Sequence, residues 1–356
     1  SRGAARLIAR LEQETNLDEV VLLGDRKIFN DVQGRHLIFR LQKTPRRRPC
    51  RVIVATDPET DIRHEAERYT LPQSQLYSSG RLTFARPLEH EALFENCRPL
   101  GQGYETSQGL AENPPRVNRG IAAQLGGEVE IGAGVFVLTD DEVARLELNS
   151  TERQLLRPYY LTAALDRYVI PARPTHALLY LTRETAPSLD GLPNIARHLS
   201  RYRAVLDQRR ETRMGRIAWW HLHWPRREAA FTGENILSIQ MGRAPRFAHA
   251  AQPAFVGFSV NLIRSGGEGC SLPALTGILN SGLAATWFAR HAKQRGANVE
   301  INLHVLRQFP LPPRSVSRER ALAECVVRRQ TESDPARIAE LDARIEAQVR
   351  SLYEKT

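Results

Sequence analysis

The chain has 356 residues, 42% of them hydrophobic, with a formal net charge of +10 and a sequence pI of about 9.8. That length suffices for two or three domains with their own cores, and no run approaches the ~18 apolar residues a membrane helix needs. The charge favours a polyanionic partner, most simply nucleic acid. Among the 50 basic residues only Lys27, Lys43, Lys293 and Lys355 are lysines. A GC-rich genome produces such arginine dominance unaided, although arginine also suits phosphate forks and guanine edges. Cys50, Cys97, Cys270 and Cys325 are far apart with no C-x-x-C pair. They fit reduced thiols in the cytoplasm rather than a disulfide frame or a zinc site. There is no secretory signal, and the start at Ser rather than Met is expected of a fragment or a processed chain.

Residues 4 to 15 predict an amphipathic helix with Leu7, Ile8 and Leu11 on one face. Val20 to Gly24 predicts a strand, Asp25 to Phe29 a turn, and His36 to Lys43 an alternating second strand. Helix, strand, turn and strand fit the closing edge of an α/β sheet. Forty residues are too few for a domain, so the chain is expected to begin inside one. Arg46-Arg47-Arg48-Pro49 is a basic linker, either a solvated charge run or a phosphate contact. Residues 50 to 100 are mixed, with Val52-Ile53-Val54 as a short strand. A Gly-rich region of short β signals follows from 101 and ends in the strand Gly134 to Leu138.

Asp140 to Leu146 and Ser150 to Leu156 predict helices, the second with Ser150 as N-cap and Arg153 at the box position. Leu178 to Thr182 predicts a buried strand. Asn194 to Arg213 predicts one helix with Ile195, Leu199, Tyr202 and Leu206 on its apolar face. Phe231 to Ile263 alternates short strands and turns. From Leu272, the spacing of Leu275, Ile278, Leu279, Leu283 and Trp287 predicts another helix. Asn280-Ser281-Gly282 in its middle predicts a point where another backbone approaches closely. Its basic end, Arg290 to Asn298, suits either a nucleic-acid backbone or the wet end of a core helix. Val299 to Leu303 predicts a strand and Phe309 to Pro313 a stop. Arg318 to Gln330 and Pro335 to Tyr353 predict an antiparallel helical hairpin.

Three motifs invite a chemical reading. Asn113-Pro114-Pro115-Arg116 is close to the N-P-P-aromatic motif with which amino-methyltransferases hold a flipped base. Its fourth residue is Arg, and no apolar strand leads into it, so a Pro-Pro turn is the stronger reading. Gly101-Gln102-Gly103 and Ser107-Gln108-Gly109 lack the Lys-Ser/Thr of a phosphate loop, and no nucleotide or S-adenosylmethionine fingerprint is present. His221-Leu222-His223 places two imidazoles on one strand face without a third ligand, which favours structural or DNA-contacting roles over metal. The tract Trp219-Trp220-His221-Leu222-His223-Trp224-Pro225-Arg226-Arg227 holds three of the four tryptophans. Rings interleaved with guanidinium groups suit base stacking and phosphate contact. The alternative is that the tryptophans are core and only the arginines face outward.

The order of these segments resembles the C-terminal half of gamma-type adenine-specific DNA methyltransferases, including fused restriction-modification enzymes with a TaqI-like specificity domain. Leu23-Gly24-Asp25-Arg26-Lys27-Ile28-Phe29 with His36-Leu37-Ile38-Phe39 resembles the last two strands of the methylase sheet. Thr106 to Gly109 and Gly134 to Leu138 resemble the entry to the specificity domain. Leu155-Leu156-Arg157-Pro158-Tyr159, Arg167-Tyr168, Leu178-Leu179-Tyr180 and Leu192 to Leu199 follow, then the Trp/Arg tract. Leu279-Asn280-Ser281 and Phe309-Pro310-Leu311-Pro312 close the set.

The resemblance implies an α+β chain in four parts. These are a methyltransferase remnant over 1–45, a connector over 46–100, a target-recognition domain over 101–313 and a helical hairpin over 314–356. The F-x-G-x-G and N-P-P-aromatic motifs of that family lie upstream of the strands seen here. The resemblance therefore implies sequence-specific binding of double-stranded DNA without methyl transfer by this chain alone. S-adenosylmethionine is expected for the parent enzyme, no cofactor or metal for this chain, and the methyltransferase half as partner. Expected DNA contacts, chosen as polar residues in predicted loops, are Ser107, Gln108, Arg116, Asn118, Arg226, Arg227, Arg243, Arg246, Lys293, Arg295 and Asn298. A second reading is a protein-interaction module whose terminal hairpin docks a partner subunit of a modification or defence complex. An intact enzyme using Asn113 to Arg116 ranks last.

Overall fold

A computed structural model describes residues 2–24, 26, 28–29, 36–44, 47–55, 58–78, 81–84, 91–94, 96–127, 129–295 and 298–354. Asp25 and Lys27 of the first turn, Arg46 of the basic run and Gly296 of the basic loop lie outside them. The chain divides into two units, Ser1–Glu95 with Lys293–Asn298, and Asn96–Ala292 with Val299–Thr356. No helix among the described residues is long and apolar enough to cross a membrane.

The first unit holds α1 (Arg2–Glu14) and four strands, β1 (Asn16–Leu22), β2 (Leu37–Gln42), β3 (Cys50–Val54) and β4 (Glu67–Leu71), in the order β2-β1-β3-β4. β1 is antiparallel to β2 and parallel to β3. Leu17 and Val20 of β1 share a core with Cys50 and Val52 of β3 and with Leu71 and Leu76. The Gln73 amide pins β1 by accepting from Leu17 N (3.2 Å) and donating to Leu17 O (2.8 Å). The expected boundary at 45/46 is therefore corrected. Residues on both sides of it belong to one sheet, because β3 supplies half of the core that β1 needs.

The second unit is built on two four-stranded sheets. In chain order their strands are β5 (Tyr104–Gln108), β6 (Val137–Leu138), β7 (Leu156–Tyr160), β8 (His176–Leu179), β9 (Asn235–Ile239), β10 (Phe247–Ala250), β11 (Phe255–Val256) and β12 (Val260–Ser265). One sheet runs β11-β7-β8-β6 and the other β10-β9-β12-β5. A shared core joins them, with Phe136, Tyr160, Phe231, Phe255 and Leu262 fully enclosed. The mixed α+β class expected from the sequence is observed. Gly134 to Leu138 forms a regular strand only at Val137–Leu138.

The helices depart from expectation where side chains take over backbone partners. α2 (Asp140–Arg145) starts with a Thr139/Glu142 capping box. α3 (Ser150–Arg153) starts on Asn149 with Glu152 closing the box, one residue before the expected Ser150/Arg153 pair. Asn194 to Arg213 is three pieces, α4 (Pro193–Ser200) followed by the turns Arg203–Leu206 and Arg210–Arg213. Arg209 breaks it by folding inward, 6% exposed, to donate to the carbonyls of Leu206, His221 and Trp219. The helix from Leu272 is also two, α5 (Leu272–Leu279) and α6 (Gly282–His291). Ser281 caps α6, and the Asn280 amide bridges Phe247 N (3.1 Å) and O (2.7 Å). A close backbone approach was expected at Asn280-Ser281-Gly282; the tighter glycine contact lies at Gly277 and is made by side chains. There an added Cβ would stand 2.9 Å from Val326 and 3.0 Å from Leu322, whereas at Gly282 it meets only the end of Glu346 at 3.6 Å.

Val326 and Leu322 belong to α7 (Val316–Thr331), which pairs with α8 (Pro335–Tyr353) and packs on α5. The terminal hairpin is thus part of the second unit and not a separate domain. Only Asn298–Glu300 of the strand expected to reach Leu303 is extended, because Asn302 caps a helical turn at Leu303–Arg307.

Glu152 gives the clearest local test. Its side chain is fully buried and accepts from Asn149 N, Asn194 N, Asn194 Nδ2 and Ile195 N at 2.7 to 2.9 Å. Burial alone would raise its pKa, but these amide donors outweigh it and hold the carboxyl below the usual range. Because the folded value is the lower one, the stabilisation is present above ~4.3 and is lost as pH falls through the folded value. Glu152→Ala orphans several buried donors and is expected to lower unfolding stability by about 3 kcal/mol at neutral pH. Urea melts at pH 7 and in the acid range check this. A gap between parent and variant that persists unchanged in acid would contradict the carboxylate's role.

Candidate nucleic-acid interface

The Trp/Arg tract splits into a buried part and an exposed part. Trp219 and Trp220 pack on the core of the second unit, with Trp220 Nε1 donating to Ala186 O at 2.9 Å. His221 is buried between them and Leu222, with Nδ1 accepting from Ala218 N (3.2 Å) and Nε2 at 2.9 Å from Ala186 O. That pattern is a neutral tautomer donating through Nε2, and burial lowers its pKa accordingly. His221 is structural, as one of the two readings had it. No group of three or more His, Cys, Asp or Glu residues among those described could hold a metal ion.

Trp224 is different. It is 46% exposed although its backbone is tied to Ala111 by two hydrogen bonds of 2.9 Å. Beside it stands Phe258, 44% exposed, with ring centroids 6.4 Å apart. Both rings border a shallow recess of about 510 Å³ together with Gln108, Pro225 and Arg226. Arg226 is held at φ +59°, a region that disfavours side chains other than Gly, Asn and Asp. The conformation lets its carbonyl accept from Tyr180 Oη (2.8 Å) while the exposed guanidinium reaches only a 3.4 Å contact with Gly109 O. Two solvent-facing rings and a lightly anchored guanidinium beside a sheet edge can stack on bases and meet a phosphate at once.

The other expected contacts scatter. Ser107 and Gln108 are half-buried on the edge strand β5, not in a loop, paired with Leu262 and Asn261. Arg227 is exposed and lines a larger cleft of about 980 Å³ between Thr182–Glu184 and residues 210–229. Arg243 is exposed and Arg246 half-buried between β9 and β10, where Gln240 Nε2 reaches Phe258 O at 2.8 Å. Lys293 and Arg295 are exposed on a strand grouped with the first unit, and Asn298, half-buried at the start of the next strand, is grouped with that unit too.

Two expected contacts serve the fold. Arg116 is half-buried and donates to Gly132 O (2.6 Å) and His176 Nε2 (2.5 Å), with Glu142 at 3.9 Å. Asn118 caps a helical turn by accepting from Ile121 N at 2.9 Å. Pro115 O receives the amides of Val135, Phe136 and Val137, and Asn113 O accepts from Arg209 at 3.3 Å. The Asn113–Arg116 segment is thus a structural turn. Phe258 was missed by sequence reasoning. Its signal was weak, an aromatic between Gly257 and Ser259 in a turn between two predicted strands.

No family model matches this sequence, and no curated protein matches it. Among solved structures, the chain is similar to the type IIL restriction-modification enzyme MmeI in complex with DNA, with a TM-score of 0.59 and 9% identity. That similarity covers 96% of this chain and 43% of that one, and it establishes a shared fold. The type IIG restriction endonuclease BpuSI is similar at a TM-score of 0.43 and 13% identity, over 99% of this chain and 45% of that one. The chain spans less than half the length of both.

Proposed function

We propose that this chain is the sequence-recognition part of a site-specific adenine-N6 DNA methyltransferase in a restriction-modification system. The observation that carries the proposal is the exposed Trp224–Phe258 pair beside Arg226 and Gln108. It lies on a fold shared with a restriction-modification enzyme described in complex with DNA. In this reading the second unit grips duplex DNA, arginines meeting phosphates while the groove-facing edge reads bases. The first unit is the edge of the methyltransferase sheet. Leu37, Ile38 and Phe39 of β2 are 44%, 61% and 55% exposed, an apolar edge that a larger α/β body would cover. Methyl transfer and S-adenosylmethionine binding belong to that catalytic half, with no step assigned to the residues described.

The interaction-module reading receives less support, because the hairpin's apolar seam (Leu322, Val326, Ile345, Val349) is buried within the second unit. A salt series of duplex binding by fluorescence anisotropy tests the proposal. Affinity is expected to fall about 100-fold or more between 50 and 200 mM salt, as several phosphate contacts require. A flat, weak response would sink the proposal and leave the interaction module.

A further inference from the structure

The larger cleft has a polar floor that the stacking surface does not use. Glu211 is 9% exposed, and its buried Oε2 accepts no hydrogen bond among the described residues. His223 Nε2 lies 3.2 Å from that oxygen, within ion-pair distance but outside hydrogen-bond alignment, and His223 Nδ1 is also buried without a partner. Arg209, the nearest buried cation, does not satisfy the carboxylate. Its hydrogen bonds go to the backbone carbonyls of Leu206, Asn113, Ala218, Trp219 and His221, so it offers Glu211 charge alone. Burial holds the His223 imidazole below its usual range, so at neutral pH it adds no charge to the floor. A buried acceptor without a donor is costly and calls for an explanation. Here the cleft beside it provides the space, about 980 Å³.

The walls match one class of ligand. Trp224 borders the cleft with its half-exposed ring, and Arg210, Arg216 and Arg227 are exposed along its lining. Of the other two acids on the lining, Glu228 is engaged by Arg157 and Glu184 is exposed. An aromatic wall, a carboxylate acceptor and exposed guanidinium groups together fit a base joined to a phosphate.

We infer that this cleft holds one nucleotide of the bound nucleic acid outside its stack, the base edge donating to Glu211, the ring against Trp224 and the phosphate among the lining arginines. The inference rests on the nucleic-acid reading above. Guanine suits the floor best. Its N1–H and N2–H stand side by side as donors, whereas adenine and cytosine place a ring acceptor next to their amino group. Thymine offers a single N–H between two carbonyls.

Fluorescence anisotropy of the full chain tests this with duplexes carrying one central unpaired guanine, one unpaired thymine or an abasic gap. The guanine duplex is expected to bind about tenfold tighter than the other two. Glu211→Gln is expected to reduce that preference to about twofold, since an amide donates where the carboxylate accepts. Ala229→Trp, at an exposed lining position, is expected to remove the preference by filling the cleft. Guanosine monophosphate as competitor separates the sources. Displacement assigns the cleft to free nucleotides as well, and a guanine preference without displacement assigns it to DNA. Equal affinity for the three duplexes, or a preference intact in both variants, overturns the inference while leaving duplex binding in place. A chain that binds neither duplex nor guanosine monophosphate overturns both readings.

Discussion

A Trp224→Ala, Phe258→Ala double variant is expected to bind duplex DNA about 10- to 100-fold more weakly than the parent chain at fixed salt, each ring contributing roughly a stacking interaction. The two rings are 46% and 44% exposed, so their removal leaves the core intact and the melting temperature close to the parent's. Arg226 sharpens the test. At φ +59° an arginine costs the fold about 1–2 kcal/mol that glycine does not. Arg226→Gly is therefore expected to raise thermal stability while lowering DNA affinity. Anisotropy and thermal melts on the same preparations check both signs. If affinity survives the loss of both rings and the guanidinium, this face is not the interface.

Gly109→Ala is expected to prevent the second unit from folding. A Cβ there would stand 2.2 Å from Gly257 O, 2.6 Å from Val256 O and 2.7 Å from Gly257 C, all backbone atoms held in place by hydrogen bonds. Gly109 N itself donates to Val260 O, and Leu110 N to Val256 O, so the chain at this point is laced into the loop between β11 and β12. No side-chain rotation relieves such a clash, and the cost lies beyond the ~4–5 kcal/mol that marks exceptional point mutants. The control is Gly126→Ala. Its φ of +69° is unfavourable, but nothing lies within 4 Å of the added Cβ, so a loss of only about 1–2 kcal/mol is expected. Near-ultraviolet circular dichroism and urea melts separate the two. A folded Gly109→Ala chain would mean that β5 does not enter the sheet as described.

These two sites also mark how far the sequence carries. Gly109 sat in a stretch considered as a phosphate loop, and nothing in Ser107-Gln108-Gly109 indicated that another backbone would lie against it. The approach comes from Val256–Gly257, about 150 residues away in the chain. The Trp/Arg tract was visible as a cluster, but spacing alone left buried and exposed tryptophans equally plausible. Trp220 packs on the core of the second unit with its indole N–H donating to Ala186 O, whereas Trp224, tied to Ala111 only through its backbone, keeps its ring exposed beside Phe258. Asn280-Ser281-Gly282 was identified as an irregularity, yet its role is a helix break with a cap and a bridge to Phe247, not a close packing point. Arg116 and Asn118, chosen as polar residues in predicted loops, also serve local polar groups, which the spacing of the sequence did not indicate.

By itself the sequence determined the basic charge, the mixed α+β class, most helix and strand cores, and the two helices of the terminal hairpin at 318–330 and 335–353. All of these depend on composition and on periodicity within a few residues. Only the tertiary structure decided that residues 16–54 share one sheet, that the hairpin packs on Leu272–Leu279, and that Phe258 joins Trp224. It also decided that Glu211 is buried without a donor at the edge of a cleft. Each of these depends on groups distant in sequence competing for the same partner, and the outcome is set by packing and hydrogen-bond satisfaction across the fold.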